Sequence, residues 1–232
     1  MQIYQIAIAQ SFDNYNYIIA DKKAVVVVDP WDGKQIFQWC ENNQLAPTHI
    51  AQTHSHSDHT RGVEYLREKK VEFVGEKLFL NDFTFIETIS TPGHTNDHVS
   101  FLIYENNEKV GVLSGDTVFN AGVGNCKSGD PKKLYRTLKN IYYPLPDTCK
   151  VYPGHDYLKK NLNFTLSLET DNYKAQELLD NTPQNFISTI GIEKDINLFF
   201  RLNNPSLRKR LKMQNASEEE VFLKLRKHRD QF

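Results

Sequence analysis

The chain reads as an α+β protein, with a sheet-based part over residues 1–155 and a helical extension over residues 156–232. Three observations carry that reading. Short β-branched runs closed by turn residues recur up to about residue 152, helical patterns are interleaved with them, and beyond His155 the strand signal stops while helical spacing continues.

Taken in order, Ile3–Ala9, Tyr15–Ile19 and Val25–Val28 read as strands separated by Asp13-Asn14 and Asp21-Lys22. The run of valines has the character of a buried strand. It ends at Asp29-Pro30, where a carboxylate at a strand tip is placed either to orient a metal-bound imidazole or simply to stop the strand. Ile36, Phe37, Trp39 and Cys40 have helical spacing within residues 33–43, and a short strand then runs into Thr53-His54-Ser55-His56-Ser57-Asp58-His59-Thr60. A helix follows over 62–69, and a strand over 71–74. Residues 79–89 alternate around an Asn81-Asp82 turn before Thr91-Pro92-Gly93-His94-Thr95, where Pro and Gly force a sharp turn ahead of an imidazole. His98, opening the apolar strand 99–104, reads as a hydrogen-bonded core residue. The strand 110–113 ends in Ser114-Gly115-Asp116-Thr117, with Gly115 permitting close backbone approach. Residues 121–129 read as a glycine-rich loop without secondary structure, and 131–141 as a helix capped by Asp130. The strand 149–152 delivers Pro153-Gly154-His155, repeating the construction at 92–94. Helices are predicted over 158–168, 173–179 and 217–229, the last opening on Ser217-Glu218-Glu219-Glu220, the form of a capping box.

Composition narrows the function. Lys plus Arg number 28 and Asp plus Glu 29, so no global field draws the chain to nucleic acid or an anionic membrane, and a small-molecule partner is expected. The longest strongly apolar run, Ala24–Val28, is far below the roughly 18 residues of a membrane span. No signal-peptide pattern opens the sequence. Cys40, Cys126 and Cys149 match no disulfide framework, zinc finger or redox motif, so free thiols in a reducing, cytoplasmic compartment are expected. A monomer is expected as well.

The residues that carry chemistry are His54, His56, Asp58, His59, His94, Asp116 and His155. Imidazole and carboxylate without thiolate suit zinc, iron or manganese. His54 and His56, two apart, project to one side of an extended segment, whereas Asp58 and His59 are adjacent and point differently, so one loop serves two neighbouring ions. The division expected is His54, His56 and His94 on one ion and Asp58, His59 and His155 on the other. Asp116 bridges them. Such a pair lowers the pKa of a shared water towards about 7 and polarises the carbonyl it attacks.

Thr-His-x-His-x-Asp-His at 53–59, Pro-Gly-His-Thr at 92–95, Ser-Gly-Asp-Thr at 114–117 and Pro-Gly-His at 153–155 together resemble the metallo-β-lactamase superfamily. The resemblance implies an αββα sandwich with a dinuclear site at one edge. The tail, through Phe199-Phe200-Arg201 and the ending from Leu225 to Phe232, resembles the C-terminal part of glyoxalase II, the hydroxyacylglutathione hydrolases. It implies hydrolysis of S-D-lactoylglutathione to D-lactate and glutathione by a metal-bridging hydroxide. Asp58 and Asp116 would be the catalytic carboxylates, and two divalent ions, zinc foremost, the cofactors. By the same resemblance Arg226 and Arg229 grip the glycine carboxylate of a glutathione thioester and Tyr157 lines its pocket. Spacing alone admits a plainer reading, in which these cations complement a helix C-terminus. One departure stands out. Where familiar members place a lysine and, two positions on, a tyrosine, this chain has Asn125 and Lys127, and Lys127 is expected to reach the substrate instead. The rival readings are a one-iron persulfide dioxygenase on the same fold, a nuclease, which the balanced charge opposes, and a binding module with a dead site, which the complete ligand set opposes.

Overall fold

Val25–Val28 shows how the layers are built. Val25 and Val27 enter an apolar cluster with Ile18, Ile36, Cys40, Ile50 and Leu66, whereas Val26 and Val28 enter another with Tyr17, Ile19, Ile86, Phe101 and Leu113. Successive side chains of a strand point to opposite faces, so this strand has helices on one side and a second sheet on the other. In the computed structural model, which describes residues 1–7 and 13–232, the layers accordingly run helices, sheet, sheet, helices. The part of the first predicted strand at residues 8–9 lies outside the described residues.

The first sheet has the order β1 (Gln2–Ala7), β2 (Tyr15–Ala20), β3 (Val25–Val28), β4 (His49–Ala51) and β5 (Glu72–Phe73). The pairs β1–β2 and β2–β3 are antiparallel, while β3–β4 and β4–β5 are parallel. Parallel neighbours need crossovers, supplied by α1 (Gly33–Asn42) and then by α2 (Ser57–Thr60) and α3 (Val63–Glu68). Asp32 caps α1 by accepting from the backbone N–H groups of Lys34 and Gln35.

The second sheet is a meander of β6 (Lys77–Phe79), β7 (Thr84–Ser90), β8 (Val99–Glu105) and β9 (Glu108–Gly115). A hairpin of β10 (Val118–Phe119) and β11 (Gly122–Val123) then leads to α4 (Pro131–Thr137), which widens into a π-type turn over Leu138–Tyr142. The return strand β12 (Lys150–Pro153) lies parallel to β9, and β13 (Ser188–Thr189) completes the edge. The tail supplies α5 (Leu158–Leu168), α6 (Tyr173–Asp180), α7 (Ile190–Ile196), α8 (Pro205–Leu211) and α9 (Glu218–Gln231).

Leu102, Val112 and Val151 face away from the first sheet into a core shared by Leu134 and Leu138 with Phe199, Leu207 and Phe222 of the tail. The tail therefore completes the outer helical layer. Truncating the fully buried Phe199 or Phe222 to alanine is expected to cost about 3–5 kcal/mol. Among the described residues no helix is long and apolar enough to cross a membrane.

Several short elements depart from the sequence reading. The stretch read as an unpatterned loop from residue 121 begins inside the β10–β11 hairpin, strand structure returns at β13 after His155, and α2, α7 and α8 were not anticipated. Two-residue strands and helices of four to seven residues span too few positions for periodicity to register. For α8 a cue was present, since Asn204 caps it and Pro205 takes its first position.

Candidate metal centre

The seven predicted donors converge at the edge where β3, β4, β9 and β12 end. His54 and His56 follow β4, and Asp58 and His59 sit on α2, whose single turn makes adjacent residues diverge. His94 follows β7, and Asp116 and His155 follow the parallel pair β9 and β12. One oxygen or nitrogen from each of His54, His56, His94 and Asp116 falls within 4.8 Å of the others, and the same holds for Asp58, His59 and His155. Asp116 also links the two groups: one carboxylate oxygen is 3.4 Å from His59 Nε2, and the other is 3.4 Å from both His94 Nε2 and His155 Nε2.

Two glycines make this proximity possible. Gly115 adopts φ +49°, and a Cβ there would meet Thr53 Oγ1 at 2.7 Å and His98 Nε2 at 2.8 Å. A Cβ on Gly154 would lie 2.4 Å from Asp116 Oδ1. A side chain at Gly154 would displace the donors themselves, and one at Gly115 the Thr53 and His98 groups that position His54 and Asp116.

The hydrogen bonds behind the imidazoles fix their tautomers. His94 Nδ1 lies 2.7 Å from the Asn125 carbonyl, which only accepts, so the proton is on Nδ1 and the Nε2 lone pair faces inward. Thr53 Oγ1 donates to Asp29 Oδ2 at 2.7 Å and therefore accepts from His54 Nδ1 at 2.9 Å. Ser128 Oγ, 2.8 Å from His56 Nε2, does the same for His56 by directing its own proton to the His94 carbonyl. His59 Nδ1 donates to Asp29 Oδ2 at 2.9 Å. The inner nitrogens are thus lone pairs facing one another, with His56 Nδ1 3.0 Å from both His54 Nε2 and His94 Nε2.

Lone pairs at that separation repel unless a proton or a cation lies between them. Burial disfavours the proton, pushing His54 down to about 3 and lowering His94 as well. Asp116 Oδ1 is buried without a hydrogen-bond partner; burial opposes its ionisation, but positive charge at His59 and His155 holds the carboxyl well below the usual carboxylate range, a charge that a cation in the cluster supplies when these imidazoles are neutral. An unpaired anionic oxygen among converging lone pairs fits divalent cations, and the N/O donor set agrees.

Asp29 anchors this arrangement. It sits at φ +45° just before Pro30, with its carbonyl accepting from Asn16 Nδ2 at 2.6 Å and its carboxylate from the Thr53 backbone N–H at 2.7 Å. His98 is wholly buried, as the sequence reading held. Its Nε2 accepts the Asp116 backbone N–H at 3.1 Å, and its Nδ1 contacts Thr91 and Thr117 hydroxyls at 2.9 and 3.1 Å. Sequence reasoning missed Asn14, whose Nδ2 donates to Asp58 Oδ2 at 3.3 Å, and also Ser128. Both lie in turn or loop segments whose partners are distant in sequence.

Two adjoining cavities flank the cluster and share Asn125 and Tyr157. One, of about 550 Å³, opens over His56, Asp58, His94, Asp116 and His155. The other, of about 270 Å³, is lined by Phe119, Lys127, Lys160, Arg226 and Arg229. Tyr157 lies between them, stacked on the His155 ring at 4.9 Å. The two arginines, expected to act as a matched pair, are deployed differently. Arg226 is buried, with Nη1 donating to the Val123 and Gly124 carbonyls at 2.9 and 3.1 Å and Nη2 bonded to Asp230 at 2.9 Å. Arg229 is half-buried and gives one N–H to Asn161 Oδ1 at 3.1 Å. Lys127 is exposed at the rim. Lys160, absent from the sequence reading, adds a further cation from α5.

A layered fold of this kind with a His/Asp cluster at its edge is the metallo-β-lactamase fold, and solved structures share it. ETHE1 from Myxococcus xanthus matches with a TM-score of 0.66 at 23% identity, over 99% of this chain and 98% of its own. A metallo-β-lactamase from Staphylococcus aureus matches with a TM-score of 0.67 at 21% identity, over 98% and 70%. The sequence is more specific. Hydroxyacylglutathione hydrolases of Nitrosococcus oceani and a Polaromonas species are 34% and 32% identical to it, each over the full length of both chains. A family model described as the hydroxyacylglutathione hydrolase C-terminus matches residues 156–232. The chain belongs to the hydroxyacylglutathione hydrolase family.

Proposed function

We propose that the protein hydrolyses glutathione thioesters, S-D-lactoylglutathione foremost, to a free hydroxy acid and glutathione. The observation that carries the reading is the junction of the two cavities: a lone-pair cluster suited to cations opens directly onto a pocket rich in cationic side chains. In this reading residues 1–155 supply the chemistry and residues 156–232 most of the thiol-side binding. His54, His56 and His94 would hold one divalent ion and Asp58, His59 and His155 a second, with Asp116 within reach of both groups. Zinc suits this donor set best, with iron and manganese as alternatives selected by supply.

When bound, such ions acidify water and polarise a carbonyl. The chain's own residues do the rest. Asp58, its side chain 24% exposed at the cavity floor and steadied by Asn14, serves as a ligand that also orients the attacking water. Lys127, Lys160 and Arg229 complement the carboxylates of the thiol moiety, while Tyr157 and Phe119 pack against its backbone. The leaving thiolate needs little protonation, because a thiol pKa near about 8.5 makes it a stable anion. No separate general acid is required.

The test is a panel of S-D-lactoylglutathione, other glutathione thioesters and acyl thioesters of a different thiol, run beside elemental analysis of the purified protein and an oxygen-uptake assay with glutathione persulfide. Preferential hydrolysis of the glutathione thioesters with about two metal ions per chain is expected. Oxygen consumption with one iron per chain would replace this reading with the dioxygenase.

A further inference from the structure

The larger cavity has a wall that this reaction leaves unused. Trp31, just beyond Asp29-Pro30 at the end of β3, and Arg61, at the C-terminal end of α2, line it beside the donor cluster. The Arg61 guanidinium lies over the Trp31 ring, 5.2 Å from its centroid. Its side chain is exposed, and none of the ion pairs among the described residues uses it. The Trp31 backbone is tied down by its N–H, which donates to Asn16 Oδ1 at 3.3 Å.

Position tells which part of a substrate this wall meets. Asn125 and Tyr157 line both cavities, whereas Trp31 and Arg61 line only the one over the cluster. A thioester with its thiol part in the basic cavity and its carbonyl at the cluster directs its acyl group to the remaining wall. A guanidinium stacked on an indole keeps its charge and its planar N–H edge, the geometry that grips a carboxylate. The part of Trp31 that lines the cavity gives the methylenes leading to it an apolar neighbour.

We propose that Trp31 and Arg61 form an acyl subsite that selects thioesters of dicarboxylic acids, with an apolar stem against the indole and the distal carboxylate on Arg61. This rests on the thioester-hydrolase reading. The metal-loaded enzyme is to be assayed with S-glutarylglutathione, S-valerylglutathione and S-D-lactoylglutathione, with enzyme-free blanks to subtract spontaneous cyclisation. Glutaryl and valeryl differ in the terminal carboxylate at nearly equal length.

The glutaryl-to-valeryl ratio of kcat/KM is expected to exceed one in the wild type and to fall about tenfold in Arg61→Gln, chiefly through KM. Arg61→Lys should recover part of it, and added salt should lower the wild-type ratio. A ratio unaltered by Arg61→Gln overturns the subsite, as does hydrolysis of the lactoyl substrate with neither five-carbon thioester accepted. Should none of the three be hydrolysed, the parent reading fails instead.

Discussion

In the donor cluster His54, His56, His59 and His94 are each held from behind, by Thr53, Ser128, Asp29 and the Asn125 carbonyl. In the adjoining basic cavity Arg226 is the cation comparably fixed, while Lys127 and Lys160 are exposed and Arg229 makes one side-chain hydrogen bond and looser contacts over the Phe164 and Phe232 rings. The two regions meet different demands. Metal donors must hold their lone pairs in place before the ion arrives, because reorganising buried imidazoles at that moment would weaken binding. Cations that greet a flexible thiol bearing two carboxylates gain from adaptability and from long reach. Arg226 belongs by location to the second region and by function to the first. Its hold on the Val123 and Gly124 carbonyls steadies the loop whose next residue, Asn125, orients His94.

Substitutions that separate the regions test this contrast. The largest effect is expected for Asp116→Ala, which removes the carboxylate common to both donor groups; activity should fall by about a thousandfold or more, with metal content falling in parallel on elemental analysis. Full metal occupancy in that variant would deny Asp116 its bridging place. Asp29→Asn touches no metal directly but disturbs the His59 tautomer, and metal affinity should weaken about 10–100-fold in a chelator competition. Arg229→Ala should raise KM about tenfold while leaving metal content at the wild-type level. Arg226→Ala should instead lower kcat and the unfolding free energy, the latter by about 2 kcal/mol in urea titration, since two backbone carbonyls lose a charged donor. Matching KM effects from the two arginines would erase the distinction drawn between them.

The smallest effect concerns the contact between the tail and the β10–β11 hairpin. Glu193 on α7 is wholly buried, accepting from the Ala121 backbone N–H at 3.0 Å and from Asn197 Nδ2 at 2.7 Å. Burial pushes its carboxyl up from 4.5 to about 7, against the opposing effect of these hydrogen bonds. Between those values the folded chain retains a proton that the unfolded chain has lost, so this group's contribution to stability declines as pH rises through the window and is level above it. Glu193→Gln should flatten that part of the pH profile, seen as a change of a few degrees in the pH dependence of Tm. An unchanged profile would mean that Glu193 is ionised when folded.

Much of the cluster was legible because its residues sit at strand ends marked by Pro-Gly or Gly-Asp turns, signals local to a few positions. His98 was readable as core for the same kind of reason, since it opens an apolar strand. Asn14, Ser128 and Lys160 were not readable, because each acquires meaning only from neighbours tens of residues away. The arginine pair shows the limit most clearly: spacing put both on one helix, but spacing cannot say which of them the Val123 and Gly124 carbonyls will occupy.

By itself the sequence determined the donor types, their order along the chain and the alternation of the valine strand, because these depend on residue chemistry and on the two-residue period of extended backbone. Tertiary structure alone decided that the lone pairs face one another, that Arg226 turns inward while Arg229 turns to the cavity, and that Arg61 rests on Trp31. Those outcomes depend on which distant segments share a neighbourhood, and it is packing that sets such proximity.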